Sequence, residues 1–245
     1  MKIQKIKQSL VILVLQICVM FCYGQNVHED LVNINKAYSK LNTFSVDAVF
    51  NLYENYTIQI PAETQNVKFI RSRNLYYYKL SKQETIRNGK YFVIADHENK
   101  VIIIDSFKSQ PDPGIYNYLA IINDLDSLMP EYEEIKFSKK NQTQNCYSFK
   151  TKSDNIPRLD VYFNNTTYLI EKVVLFMDLT ATDENDQNAG SSDKPKIEII
   201  YKNINTHYTY NESDFSEKRF VSIRNNMVYL NPDYYGYQLY NQLID

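Results

Sequence analysis

The chain has no tryptophan and only five glycines, seven prolines and three cysteines in 245 residues. So little glycine and proline excludes collagen-like and elastic repeats and leaves no Gly-rich loop to cradle a phosphate. Gly-x-Ser-x-Gly, Walker and dinucleotide-binding patterns are absent too. Histidine is scarce: His28, His97 and His207 are scattered, no pair has metal-ligand spacing, and each reads as a surface residue. The acidic stretch from Asp183 carries Asn188 where a calcium loop needs glycine. Glu133 and Glu134 are adjacent, so on a strand they point to opposite faces and cannot act as a carboxylate couple. No catalytic residue, metal or cofactor is therefore assigned, and the chain reads as a non-enzyme. A formal charge of −2 gives no electrostatic reason to expect nucleic acid.

A balance of 44% hydrophobic and 23% charged residues is that of a globular protein. The first 24 residues stand apart. Lys2, Lys5 and Lys7 precede an almost wholly apolar run, 9–21, interrupted by Gln16 and followed by Cys22-Tyr23-Gly24. That is the layout of a secretory signal peptide, and the run is shorter than the ~20 residues that span a bilayer. The rival is an uncleaved anchor. Neither Cys18 nor Cys22 is preceded by the small residues of a lipobox. The expectation is a signal peptide over 1–24, then one exported domain, 25–245. Its location would be periplasmic, with secreted or outer-membrane-associated as the alternatives. Cys146 would then be the one remaining cysteine, and it reads as a small core residue.

Leu31, Ile34, Tyr38 and Leu41 recur at spacings of three and four, which predicts a helix over 27–40. From Phe44 the period becomes two: Phe44, Val46, Ala48, Phe50 and Leu52 share one face of a strand. Strands are read at 67–71, 75–80, 84–87, 91–95 and 101–105, with Asn88-Gly89 as a hairpin dipeptide. Such short turns favour an antiparallel meander. Asp112, Pro113 and Pro130 bracket a second helix, 112–129, with Leu119 and Ile122 on its apolar stripe. Further strands follow at 133–138, 146–150, 159–163, 169–177 and 196–204, and 180–195 reads as an exposed loop. Segments 101–104 and 173–177 are apolar at every position, so both faces must be covered, by packed helices or by an apolar ligand. The end of the chain reads as a hairpin around Asn225-Asn226. A Tyr-rich tail follows, able to serve as packing or as a sugar-stacking platform.

Several segments resemble the periplasmic lipoprotein carriers of outer-membrane lipoprotein sorting, the LolA-like family. Leu41-Asn-Thr-Phe44 after the first helix is similar to the family's opening. Phe69-Ile-Arg-Ser-Arg-Asn-Leu-Tyr76 is similar to its strand signature, and 84–96 to its hairpin with Asn-Gly-Lys. Segments 159–163, 169–177, 196–203 and Phe215 resemble its later strands, and nothing after about Lys218 does. The resemblance implies a mainly β (α+β) fold, a strongly curved antiparallel sheet forming a half-open barrel with lid helices. The implied function is a non-enzymatic carrier or binder of an apolar ligand such as lipoprotein acyl chains. The partners would be lipid or lipoprotein acyl chains and a membrane-associated protein. The family's lid-holding arginine aligns with Ser72, which leaves Arg71 and Arg73 as the lid-gating candidates. Val46, Ala48, Phe50, Ile102, Ile104, Leu119, Ile122, Leu175 and Met177 are expected to line the cavity. The competing reading is a periplasmic or cell-surface protein-interaction module on the same fold, without a functional cavity and with the extension from about 219 as its contact surface.

Overall fold

The alternation that begins at Phe44 becomes the centre of a sheet. In a computed structural model, residues 27–106, 132–179, 194–225 and 227–243 are described. They build one curved twelve-stranded sheet that is not closed into a barrel, with one helix. A first meander runs through β1 (Thr43–Tyr53), β2 (Glu63–Ser72), β3 (Leu75–Leu80), β4 (Gln83–Arg87), β5 (Tyr91–Asp96) and β6 (Val101–Ser106). A second runs through β7 (Tyr132–Lys139), β8 (Gln144–Thr151), β9 (Arg158–Asn164), β10 (Ile170–Phe176) and β11 (Lys196–Asn205). The two meet where β1 pairs with β11, and every pairing within them is antiparallel. The signal peptide expected at 1–24, the helix expected at 112–129 and most of the loop expected at 180–195 lie outside the described residues.

Paired residues share a face, so register assigns every side chain. Phe44, Val46 and Ala48 stand opposite Arg71, Phe69 and Val67, and on the other side Ala48 and Phe50 stand opposite Tyr201 and Ile199. This face receives α1 (Val27–Ser39), whose Leu31, Ile34 and Tyr38 are buried against Phe149, Phe163, Val173 and their neighbours. Burying each of these apolar side chains contributes about 1.5–3 kcal/mol. The helix is also tied by polar contacts on the β8–β10 flank. Tyr147 Oη donates to Asp30 Oδ2 at 2.8 Å, and the Ile170 N–H donates to Tyr38 Oη at 3.0 Å. Burial pushes the Tyr38 phenol up to about 12.

The opposite face of the first meander has its own core. Ile70, Tyr77, Ile86, Val93, Ala95, Ile102 and Ile104 are buried there beneath Phe215, Phe220 and Val221. Among the described residues the covering element is thus the segment after β11, with Phe215 closing a short 3₁₀ turn. It contains the hairpin β12 (Val221–Arg224) and β13 (Met227–Leu230), then β14 (Gln238–Asn241), which adds in parallel to the edge of β6. A charge cluster fastens it. Glu84, buried on β4, accepts from Tyr77 Oη at 2.9 Å, Lys79 Nζ at 3.0 Å and Arg219 Nη2 at 2.7 Å, and lies 3.2 Å from His97 Nε2. His97 Nδ1 is 3.1 Å from Tyr237 Oη, and its ring stacks on Tyr234. His97 is therefore part of an inter-element contact, not the scattered surface residue its polar neighbours suggest.

Scarce glycine shows in the turns. Arg73, Ser81 and Lys100 hold left-handed φ values of 53°, 51° and 54° in the tight connections of the first meander. Gly89 does not adopt positive φ. Its hairpin is closed instead by Asn88, whose Oδ1 accepts from the Lys90 and Tyr91 N–H groups.

Candidate functional site

Beside the core stripe of α1 runs a second one. Val32, Asn35, Lys36 and Ser39 follow the i, i+3, i+4, i+7 spacing that aligns side chains along one flank of a helix. With Tyr38 and with Arg71 of β2 they line a pocket of about 460 Å³, a size in the range of small-molecule sites. It lies on the flank away from the Tyr147 and Ile170 tethers, where α1 meets β2.

Arg71 dominates the pocket chemically. Its register opposite Phe44 puts it on the α1 face. Nη2 donates to the Leu41 carbonyl just after α1 at 2.9 Å, and the guanidinium sits 5.1 Å from the centre of the Phe44 ring. Its Nε is buried and has no hydrogen-bond partner. A buried donor left unmade costs about 1–3 kcal/mol, so the guanidinium is held here with one hydrogen bond unmade. Lys36 adds a second cation at the same pocket.

The expected gating pair separates here. Arg71 reaches the helix junction without any bulge. Ser72, which aligns with the family's arginine, is buried on the opposite face, and Arg73 is an exposed residue of the β2–β3 turn. The expected cavity residues divide as well. Val46, Ala48, Phe50 and Leu175 join the core beneath α1, and Met177 is half-buried just beyond β10. Ile102 and Ile104 are corrected: they face the other side of the sheet, fully buried under the C-terminal segment, and cannot share a cavity with Val46. The reason is parity, because Val101, Ile103 and Asp105 are the β6 residues on the α1 side. Leu119 and Ile122 lie outside the described residues. Cys146 is buried, and burial followed by the charge of Asp160 raises its thiol pKa, which makes it a poor nucleophile. Among the described residues no group of three His, Cys, Asp or Glu side chains is placed to hold a metal ion.

No protein-family description matches the sequence, and no curated protein matches it. Solved structures do. A LolA superfamily protein from Nitrosomonas europaea is 8% identical, with a TM-score of 0.33 over 78% of this chain and 97% of that one. The lipoprotein LppX of Mycobacterium tuberculosis is 7% identical, with a TM-score of 0.41 over 75% of this chain and 97% of its own. MucB of Pseudomonas aeruginosa, in its complex with MucA, is 11% identical, with a TM-score of 0.45 over 77% of this chain and 60% of that one.

The Lys36–Arg71 pocket was not legible from the sequence as a site. Its helix residues look like an ordinary solvated face, and only the β1–β2 register brings Arg71 to them.

Proposed function

We propose that the protein is an exported, non-enzymatic binder or carrier of an amphiphile, with an acyl chain as the apolar part. The observation that carries this reading is the pocket between α1 and β2, where the buried, unpartnered Arg71 Nε sits beside an apolar core. Val32 and Tyr38 offer apolar surface. Arg71 and Lys36 offer donors for the ligand's carboxylate, phosphate or ester oxygens. Burying an acyl chain contributes about 0.8 kcal/mol per methylene, so a partly covered chain suffices for binding. The α1 anchors on β8 and β10 leave the β2 flank as the side that opens, and Arg71, bonded to the Leu41 carbonyl, is the contact that must yield. The leader-like first 24 residues support a periplasmic setting, where lipoprotein acyl chains would be the cargo.

The test is native mass spectrometry of the full chain purified from the periplasm, together with uptake of the fluorescent fatty acid cis-parinaric acid. A bound amphiphile in the wild type, lost in Arg71→Met while thermal stability stays within a few degrees, is expected. A wild-type protein that neither carries an amphiphile nor takes up the fatty acid would overturn the reading.

A second reading is favoured by one observation. Met227, Tyr229, Tyr235 and Tyr240 of the C-terminal segment are exposed large side chains. Tyr offers large contact area at low entropic cost, so these residues suit a protein partner. Loss of partner capture in Tyr229→Ala/Tyr235→Ala, with fatty-acid uptake unchanged, would favour an interaction module.

A further inference from the structure

The C-terminal segment does more than cover the sheet. Between it and the β4–β5 hairpin lies a cleft of about 620 Å³, on the face opposite the Arg71 pocket. We propose that this cleft is a second binding site and that its ligand is a short acidic saccharide.

Three features carry the proposal. First, the cleft presents a braced aromatic platform. Tyr210 is half exposed and lies parallel to the buried Phe215, with ring centres 5.7 Å apart and planes 7° apart. The offset stack on Phe215 steadies the Tyr210 ring, and its exposed surface can receive the C–H face of a pyranose. Tyr91 and Ile223 add further apolar surface to the lining. A cleft with both aromatic and polar walls suits a ring that is apolar on its faces and polar at its edge.

Second, cations converge from three separate elements. Lys90 comes from the hairpin, Lys218 from the 3₁₀ turn Glu217–Arg219, and Arg224 from the end of β12. None of them is ion-paired with a described residue. Surface cations usually find a carboxylate or spread apart, and three converging on one cleft fit a ligand that brings its own carboxylates.

Third, one of the two acids of the cleft, Glu217, is already engaged. Glu217 accepts from Asn88 Nδ2 at 2.7 Å, and Asn88 Nδ2 also donates to the Phe215 carbonyl at 3.1 Å. That pair ties the hairpin to the platform and sets the width of the cleft. Glu212 remains as an acceptor for sugar hydroxyls. An acyl chain would gain little from so charged a lining, which separates this site from the amphiphile pocket.

The experiment is calorimetric titration of the full mature chain with trigalacturonic acid, maltotriose and ATP, in low and high salt. Binding of trigalacturonic acid is expected, weakened by salt because exposed ion pairs are screened. Tyr210→Ala and Arg224→Gln should each weaken it about tenfold or more, equivalent to about 1.4 kcal/mol. Both side chains are outside the packed cores, and circular dichroism would confirm that each variant folds. No binding of trigalacturonic acid, equal binding of maltotriose, or tighter binding of ATP would each overturn the proposal. So would binding that survives both substitutions. Fatty-acid uptake at Arg71 is unaffected by any of these outcomes, so the two sites fail separately.

Discussion

Glu84→Ala tests how the C-terminal segment is held. The carboxylate is buried and accepts from Tyr77, Lys79 and Arg219, with His97 at 3.2 Å. Hydrogen bonds to charged groups contribute about 1.5–3 kcal/mol each, and removing one partner of a fully buried pair costs about 3–5 kcal/mol. Lys79 and Arg219 keep 44% and 34% of their side chains in solvent, so water recovers part of the loss. The expected destabilisation at pH 7 is therefore about 2–3 kcal/mol, read from urea denaturation. A cycle with Arg219→Ala should show coupling of about 1 kcal/mol. Hydrogen exchange should quicken in β3–β5 and in 206–243 and remain unchanged in α1 and β8–β10. The pH dependence follows the sign of the shift. Burial opposes ionisation, but the donors Lys79 and Tyr77 and the charges of Arg219 and Lys79 hold the carboxyl below its usual range. Its contribution is complete above the unfolded value of about 4.3 and is lost as pH falls through the lower folded value. Glu84→Gln should flatten that acid limb. A loss below about 0.5 kcal/mol, zero coupling, or exchange that quickens uniformly would refute the reasoning.

Truncation after Asn231 removes the packing of Tyr234 and Tyr237 on His97 and Phe220 and strips β14 from β6. Losing these side chains and Leu239 should cost about 4 kcal/mol or more in urea denaturation, and the bared β6 edge should promote self-association on size exclusion. Unchanged stability in a monomer would show that the tail is not part of the core. Lys100→Gly should stabilise by about 0.5–1 kcal/mol, because a left-handed non-glycine residue costs about 1–2 kcal/mol and glycine returns part of that as chain entropy. A fall in Tm would show that the turn is not strained.

Local periodicity carried much of the fold. The Leu31–Ile34–Tyr38 stripe and the Phe44–Leu52 alternation each specify one face, and the structure buries most of both. The doubly apolar segments 101–104 and 173–177 also announced that two faces are covered. What they could not say is by what. Ile102 and Ile104 meet Phe215, Phe220 and Val221 from more than a hundred residues later, and no local pattern records that pairing. The same distance hid the Glu84–Arg219 contact, in which the two residues are 135 positions apart. Strand parity alone sets Arg71 opposite in direction to Ser72. Only the register of β2 on β1, with Phe44 beside Arg71, shows that α1 lies on the arginine's side.

The two cores divide the labour of the sheet. On one face α1 is tethered to β8 and β10 and leaves a basic pocket at β2. On the other the C-terminal segment is fastened through Glu84 and leaves a cleft at the β4–β5 hairpin. The strands between them are shared, yet each side chain belongs to one face only, so Arg71 and Arg224 have no common contact. Sites without shared partners behave additively to within about 0.3–0.5 kcal/mol. An Arg71→Met/Arg224→Gln protein should therefore lose both ligands with no more change in stability than the sum of the single variants. A larger excess would mean that the sheet transmits strain between its faces, and that the pocket and the cleft act as one device.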